Sequence, residues 1–293
     1  MLKSGSGFYP LSHSKAFSDC ERSRKVVQFS WVIVDSDYMQ SSGVLSEALT
    51  SHRIQLQAGC VYVIKLKEVS FEKPIEYQAF QYAYAIRTSG TTGKRRIVFV
   101  PHEAIVLNIL DLASQFTLTS DDVVLAIAPP TFDPSIVDLF IALYTSATII
   151  YVSEKIRLLS SAVLKVFTDE SVTFVQCTPS FLLRLGEEQL RNELFSLNSK
   201  LKCVALGGEK CFSRSFLRSV IPKEKHGHVQ VFNLYGITEV SCWASIEKIN
   251  LNVMSDEVSL GNSLSSISVQ LLPAAASEEG EIIIGEKILA YIK

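Results

Sequence analysis

A chain of 293 residues, 47% hydrophobic and 20% charged, has material for one large or two medium domains around a sizeable core. Its 28 basic and 30 acidic side chains leave a formal charge of −2, so no global field draws it to nucleic acid or an anionic membrane. Its apolar runs are too short to span a bilayer and no apolar segment follows Lys3, so neither membrane anchor nor secretory signal is expected, and the cytoplasm is the expected setting.

Taken in chain order, Val26 to Val34 reads as a strand, residues 35 to 60 carry little signal, and Val61 to Leu66 reads as a strand. Tyr82 to Ile86 and Ile97 to Val100 are apolar segments around a polar loop. In His102 to Phe116, residues Ile105, Val106, Ile109, Leu110, Leu112, Ala113 and Phe116 fall at helical spacing. Helix-like stretches follow at Ser135 to Tyr144, Leu158 to Phe167, Ser180 to Leu185 and Ser213 to Ile221. They alternate with apolar strands at Val123 to Ile127, Thr148 to Val152, Val172 to Val175, Leu201 to Leu206 and Val229 to Phe232. Unbroken apolar strands alternating with helices predict an α/β fold with a mainly parallel sheet, whose ligands gather beyond the carboxyl ends of the strands. After about residue 245, Ile267 to Leu272 and Glu281 to Ile284 alternate in the manner of a smaller antiparallel part. Cysteines 20, 60, 177, 203, 211 and 242 have no metal-ligand spacing and read as buried free thiols in a reducing compartment.

The polar loop, Thr88-Ser89-Gly90-Thr91-Thr92-Gly93-Lys94, carries the strongest chemical signal. Its hydroxyls, its glycines and the basic run Lys94-Arg95-Arg96 suit a polyanion, since glycine lets backbone N–H groups approach closely. A plain hairpin turn is the alternative. The spacing of Gly90 and Gly93, and Arg95 after Lys94, do not fit a Walker A loop, so a P-loop kinase or GTPase is disfavoured.

Further segments lie in a fixed order: Leu2 to Leu11 (LKSGSGFYPL), Thr131-Phe132-Asp133-Pro134-Ser135, Leu206-Gly207-Gly208-Glu209, Asn233-Leu234-Tyr235-Gly236-Ile237-Thr238-Glu239, and Gly280-Glu281-Ile282-Ile283-Ile284-Gly285. With the polar loop they resemble the adenylate-forming superfamily, and within it the amino-acid adenylation domains, over nearly the whole chain. The resemblance implies the large N-terminal subdomain of an adenylating enzyme, layered from mainly parallel sheets and helices. Residues 1–85 would be a partial first α/β portion, 86–250 the ATP- and acid-binding portion, and 251–293 the start of a small β-barrel-like part.

It also implies roles. Thr88, Ser89, Gly90, Thr91, Thr92 and Gly93 would cradle the β- and γ-phosphates of ATP. Gly208, Glu209, Asn233 and Tyr235 would meet adenine, with Tyr235 stacked on the ring. Thr238, Glu239 and Arg96 would be catalytic, with Glu239 on Mg²⁺, a hard cation suited to carboxylate and phosphate oxygen. A solvated loop carboxylate is the alternative for Glu239. Asp133 would pair with the ammonium of an amino acid; an N-cap is its alternative, with Pro134 in the first turn. Pro134, Val137, Gln176, Ala205, Gly207, Leu234, Cys242 and Trp243 would complete the acid pocket, and Trp243 would fill volume and suit a small substrate. This set looks most like the β-alanine-activating branch. The implied reaction is AMP-forming activation of a small amino acid, then transfer to a phosphopantetheine or CoA thiol, with a carrier-protein domain as the possible partner.

Two departures qualify that expectation. The family's SGTTGxPKG loop here has Arg95, Arg96 and Ile97 at its last three positions; Arg96 keeps the charge but not the compact ammonium geometry. The family's later Tyr-Arg-Thr-Gly-Asp motif, hinge and lysine-bearing C-terminal lid domain are not found before Lys293. These 293 residues alone are therefore expected to be catalytically incomplete. A non-catalytic nucleotide-binding or interaction remnant is one alternative. An acyl- or aryl-CoA synthetase, disfavoured by Asp133, is another.

Overall fold

Strand register decides which side chains reach the site. The computed structural model describes residues 7–11, 24, 27, 29, 31–35, 38–39, 44–56, 59–67, 82–88, 96–273, 280–286 and 290–292. The chain divides into two units between Gln81 and Tyr82.

The first unit contains a three-stranded antiparallel sheet of β1 (Trp31–Asp35), β2 (Ala48–Leu56) and β3 (Gly59–Leu66), in the order β1-β3-β2. The strand expected over Val26 to Val34 lies later, with Val32 and Val34 buried and Trp31 and Ile33 turned outward. Val32 and Val34 pack with Tyr38, Met39, Val44, Ile64 and Leu66. β2 forms where the sequence carried little signal. It is an edge strand, and Leu49 to Gln55 are all exposed, so burial imposes no alternation on it.

The second unit opens with an antiparallel pair, β4 (Tyr82–Thr88) and β5 (Arg96–Pro101), in which Thr88 faces Arg96. Its main sheet holds β6 (Val123–Ala126), β7 (Thr148–Tyr151), β8 (Phe174–Cys177), β9 (Cys203–Gly207), β10 (Gln230–Tyr235), β11 (Ser245–Lys248) and β12 (Asn262–Ser263). The order is β12-β11-β10-β9-β8-β6-β7; the run from β10 to β7 is parallel, and β11 pairs antiparallel with both its neighbours. The mainly parallel α/β sheet expected from the apolar runs is what forms. β13 (Ile267–Pro273) and β14 (Gly280–Glu286) make a separate antiparallel pair, β15 (Tyr291–Ile292) pairs with β5, and no closed barrel forms among the described residues.

Helices cover both faces of the main sheet. Register puts Phe174, Gln176, Ala205, Gly207, Phe232 and Leu234 on one face. There Phe116, the last residue of α1 (His102–Phe116), packs against Phe174 and Phe232 with ring centroids 5.1 Å away in each case. Such pairs add about 0.5–1.5 kcal/mol each beyond the area they bury. α2 (Pro134–Thr145) begins with proline at its first turn, where a missing N–H costs nothing. The helix expected over Leu158 to Phe167 is broken at Leu159 into α3 (Glu154–Leu158) and α4 (Ser160–Asp169), because Leu159 takes an extended backbone. On the opposite face α4, α5 (Pro179–Arg184) and α6 (Arg214–Val220) bury Val163, Phe167, Leu182 and Leu217 with Val175, Val204 and Leu206.

The chain leaves β6 through α2 to β7 on one side, then returns to β8 on the other. The strand order therefore reverses at β6, and the crevice beyond the carboxyl ends of β6 and β8 is the expected ligand position in an open α/β sheet.

Candidate functional site

That crevice holds a cavity of about 100 Å³. Ile127, Ala128, Pro129, Phe132 and Pro134 line it after β6, and Gln176, Cys177 and Thr178 line it at the end of β8. Gly207, Phe181, Arg157 and Trp243 complete the wall. The cavity lies well below the roughly 300 Å³ and upward of a drug-sized pocket, so it suits a small ligand.

Trp243 is held at three points. Its indole N–H donates to Gln176 Oε1 at 2.7 Å. Its carbonyl accepts from the buried Asn108 amide on α1 at 2.7 Å. Its ring lies over Gly207, where a Cβ would sit 2.3 Å from the ring edge. The turn that delivers it is tight: Ser241 and Cys242 have φ of 59° and 88°, a left-handed backbone rare outside glycine. Beneath it, a Cβ on Gly236 would come within 2.1 Å of the Cys242 carbonyl oxygen.

Gln176 is also fixed. Its amide N–H groups donate to the Pro134 carbonyl at 2.9 Å and to Asp138 Oδ1 at 3.0 Å. Asp138 is fully buried on α2, and its other oxygen has no hydrogen-bond partner among the described residues. Burial with no cation holds its carboxyl well above the usual carboxylate range.

Asp133 sits between two cavity-lining residues, Phe132 and Pro134. It occupies the N-cap position of α2, yet its side chain makes no capping hydrogen bond. Only 5% exposed, its carboxyl is pushed up to about 6, chiefly by burial; a hydrogen bond from Thr238 opposes this and the nearby Glu239 charge adds to it. Among the described residues no cation pairs with it. Thr238 and Glu239, half-buried, begin a single 3₁₀ turn after β10. Among the described residues no group of three or more His, Cys, Asp or Glu side chains could hold a metal. One carboxylate, Glu239, still fits Mg²⁺, because that ion keeps waters and takes phosphate oxygens for most of its shell.

The other expected residues divide. Val137, Ala205, Leu234 and Cys242 are buried behind the cavity wall and do not line it. Gly208, exposed with φ of 81°, has the backbone only glycine adopts freely. Tyr235 is half-buried at the end of β10. Glu209 turns to the start of α5, where Ser180 N–H and Oγ donate to its carboxylate at 3.0 and 2.6 Å. Asn233 donates to the Ser259 carbonyl at 2.7 Å, so its amide N–H is tied to the loop before β12. Thr88 and the exposed Arg96 face each other at the mouth of the β4–β5 hairpin. Ser89, Gly90, Thr91, Thr92 and Gly93 lie outside the described residues, as do Leu2 to Ser6 of the Leu2 to Leu11 segment. The strands that flank the loop, β4 and β5, pair antiparallel. Asp138, Asn108, Arg157 and Phe181 were missed. The first two carried a usable signal, a polar residue on the apolar stripe of a helix.

The profile of the family described as AMP-binding enzyme matches residues 14–290. The chain belongs to that family. Curated relatives include the beta-alanine-activating enzyme of Homo sapiens, 40% identical over 63% of this chain and 18% of that protein. The protein of the same name from Drosophila melanogaster is 30% identical over 77% of this chain and 23% of its own length. The chain thus spans 18% and 23% of those two relatives. Among solved structures, the Vibrio cholerae adenylation domain AlmE in complex with glycyl-adenosine-5'-phosphate matches at a TM-score of 0.70 and 18% identity, over 95% of this chain and 54% of that one. That likeness gives the fold: an adenylation-domain α/β core. Among the described residues no helix is long and apolar enough to cross a membrane.

Proposed function

We propose that this chain carries the acid pocket and part of the nucleotide site of an AMP-forming enzyme that activates β-alanine or an acid of similar size. The observation that carries the reading is Asp133. A buried carboxylate beside an apolar cavity is costly unless a cation meets it, and the chain supplies none among the described residues. The ammonium of an amino acid is the fitting partner. The size of the reading comes from Trp243, whose ring closes the cavity over Gly207. The similarity to enzymes named for β-alanine activation points the same way.

In this reading Asp133 anchors the ammonium and the cavity walls direct the acid's carboxylate toward the α-phosphate of ATP. Holding the two reactants in line supplies much of the rate, and charge that moves to the departing pyrophosphate must be met by positioned donors. Thr238 through its hydroxyl, Arg96 through its guanidinium, and Thr88 with the loop to Gly93 would meet it. Tyr235 would stack on adenine, and Gly208 would let the base approach the backbone. Mg²⁺, held by Glu239 and phosphate oxygens, would supply charge neutralisation. The aminoacyl adenylate would then pass to a phosphopantetheine or CoA thiol, with a carrier-protein domain as the partner.

The test is pyrophosphate exchange by the full-length protein in which this chain stands, with a panel of α-, β- and longer amino acids. β-Alanine should support exchange, and Asp133→Ala should abolish it. If β-alanine is inert, the reading falls.

A further inference from the structure

We propose that Asp138 is a specificity-determining positioning residue: it orients Gln176, Gln176 orients Trp243, and this chain of hydrogen bonds limits the acid to a short one. The inference rests on the adenylation reading and extends it to a residue outside the cavity wall.

A buried glutamine amide has two orientations of nearly equal shape. Here only one satisfies its neighbours. Oε1 faces the Trp243 indole donor, and Nε2 faces two acceptors, the Pro134 carbonyl and Asp138 Oδ1. A flip would set oxygen against the Pro134 carbonyl oxygen and N–H against the indole N–H, losing both of those bonds. Without Asp138 the amide keeps a single acceptor, the Pro134 carbonyl. The indole N–H then loses a fixed partner, and the ring, resting on a glycine with no Cβ beneath it, is free to turn.

The choice of residue supports a purpose beyond stability. On a helix face made of Ile136, Val137, Ile141 and Ala142, a leucine at 138 would bury without penalty. The chain instead keeps a fully buried acid with one oxygen unpartnered among the described residues. Its bonded oxygen reaches Gln176, the side chain that accepts from the Trp243 indole. The carboxyl touches no cavity space, so its effect on substrate passes through the two side chains between.

The experiment measures pyrophosphate exchange by the full-length protein with β-alanine, γ-aminobutyrate and 5-aminovalerate. Wild type should favour β-alanine. Asp138→Ala should raise KM for β-alanine about tenfold with a smaller change in kcat, and shift kcat/KM toward 5-aminovalerate at least tenfold. Asp138→Asn retains an acceptor oxygen for Gln176 and should keep the wild-type order of preference. If Asp138→Ala yields no folded protein, Trp243→Phe breaks the same chain at its other end and should relax the preference alike. An unchanged chain-length order in Asp138→Ala, or in Trp243→Phe where that variant stands in, overturns the inference while leaving the adenylation reading intact. Wild type inert with every amino acid overturns both.

Discussion

Replacing Asp133 with asparagine should make the protein more stable and at the same time useless to an amino acid. Burial moves the carboxyl from 3.8 to about 6. A shift of about two units is worth ~3 kcal/mol of differential interaction between the charged and neutral forms. The sign follows from which state holds the proton. The unfolded chain releases it near pH 4 and the folded protein near pH 6, so the folded state binds more protons in between and stability falls as pH rises through that window. Below about pH 4 the group costs nothing; above about pH 7 the full penalty of ~3 kcal/mol is present, and at pH 5 roughly half of it. Asp133→Asn removes the ionisation, so its gain in urea-unfolding free energy should be about twice as large at pH 8 as at pH 5. Saturating β-alanine should stabilise wild type at pH 8 and leave the variant unmoved, because the ammonium needs the charge. A variant that is less stable than wild type at pH 8, or whose gain is the same at both pH values, would refute the reasoning.

Other changes probe the walls of the site. Gly207→Ala puts a Cβ 2.3 Å from the Trp243 ring, so the ring must move; overpacking of this kind costs about 1–3 kcal/mol, visible as a lowered urea midpoint, and an unchanged midpoint would mean that the ring yields freely. Glu209→Ala removes the acceptor for Ser180 N–H and Oγ at the start of α5 and should lower stability by ~1 kcal/mol, the usual worth of a helix cap. If thermal stability holds and ATP affinity falls instead, the adenine role expected for Glu209 replaces the cap. Burial raises the thiols of Cys177, Cys203 and Cys242, and pushes Cys211 up to about 11, so iodoacetamide followed by peptide mass mapping should modify Cys60 first, Cys211 next and those three last. Early modification of Cys242 would contradict the closed turn behind Trp243.

Much of the parallel core was legible because burial on both faces writes itself into the chain. Leu201 to Leu206 and Val229 to Phe232 are apolar but for Lys202 and Gln230, with little alternation, and they sit as neighbouring central strands. β2 was invisible for the opposite reason: an edge strand with exposed side chains obeys hydrogen bonding alone, which leaves no mark on hydrophobicity. The break at Leu159 was hidden because leucine suits a helix, and the exposed Leu158 and Leu159 leave no burial pattern that would mark it. At the site, ordered motifs gave residue identities, and Pro134, Gln176, Gly207 and Trp243 do meet at one cavity. Motifs do not say where a side chain points. Glu209 and Asn233 carry polar groups that local donors and acceptors claim, the Ser180 amide and the Ser259 carbonyl. Asp138 lay one residue beyond the expected pocket position Val137, and only the hydrogen bond to Gln176 brings it into the site.

The left-handed turn at Ser241 and Cys242 has an evolutionary consequence. The main chain at 243 is fixed by Asn108 from one side and by the close approach of Gly236 from another, independently of the indole. The backbone is a rigid socket and the side chain at 243 a replaceable plug. A lineage exchanging that plug for serine or alanine would open space directly above Gly207 without rebuilding a loop. On the proposed reading, new acids would then be sampled by single substitutions, while the machinery that would handle the nucleotide stays where it is.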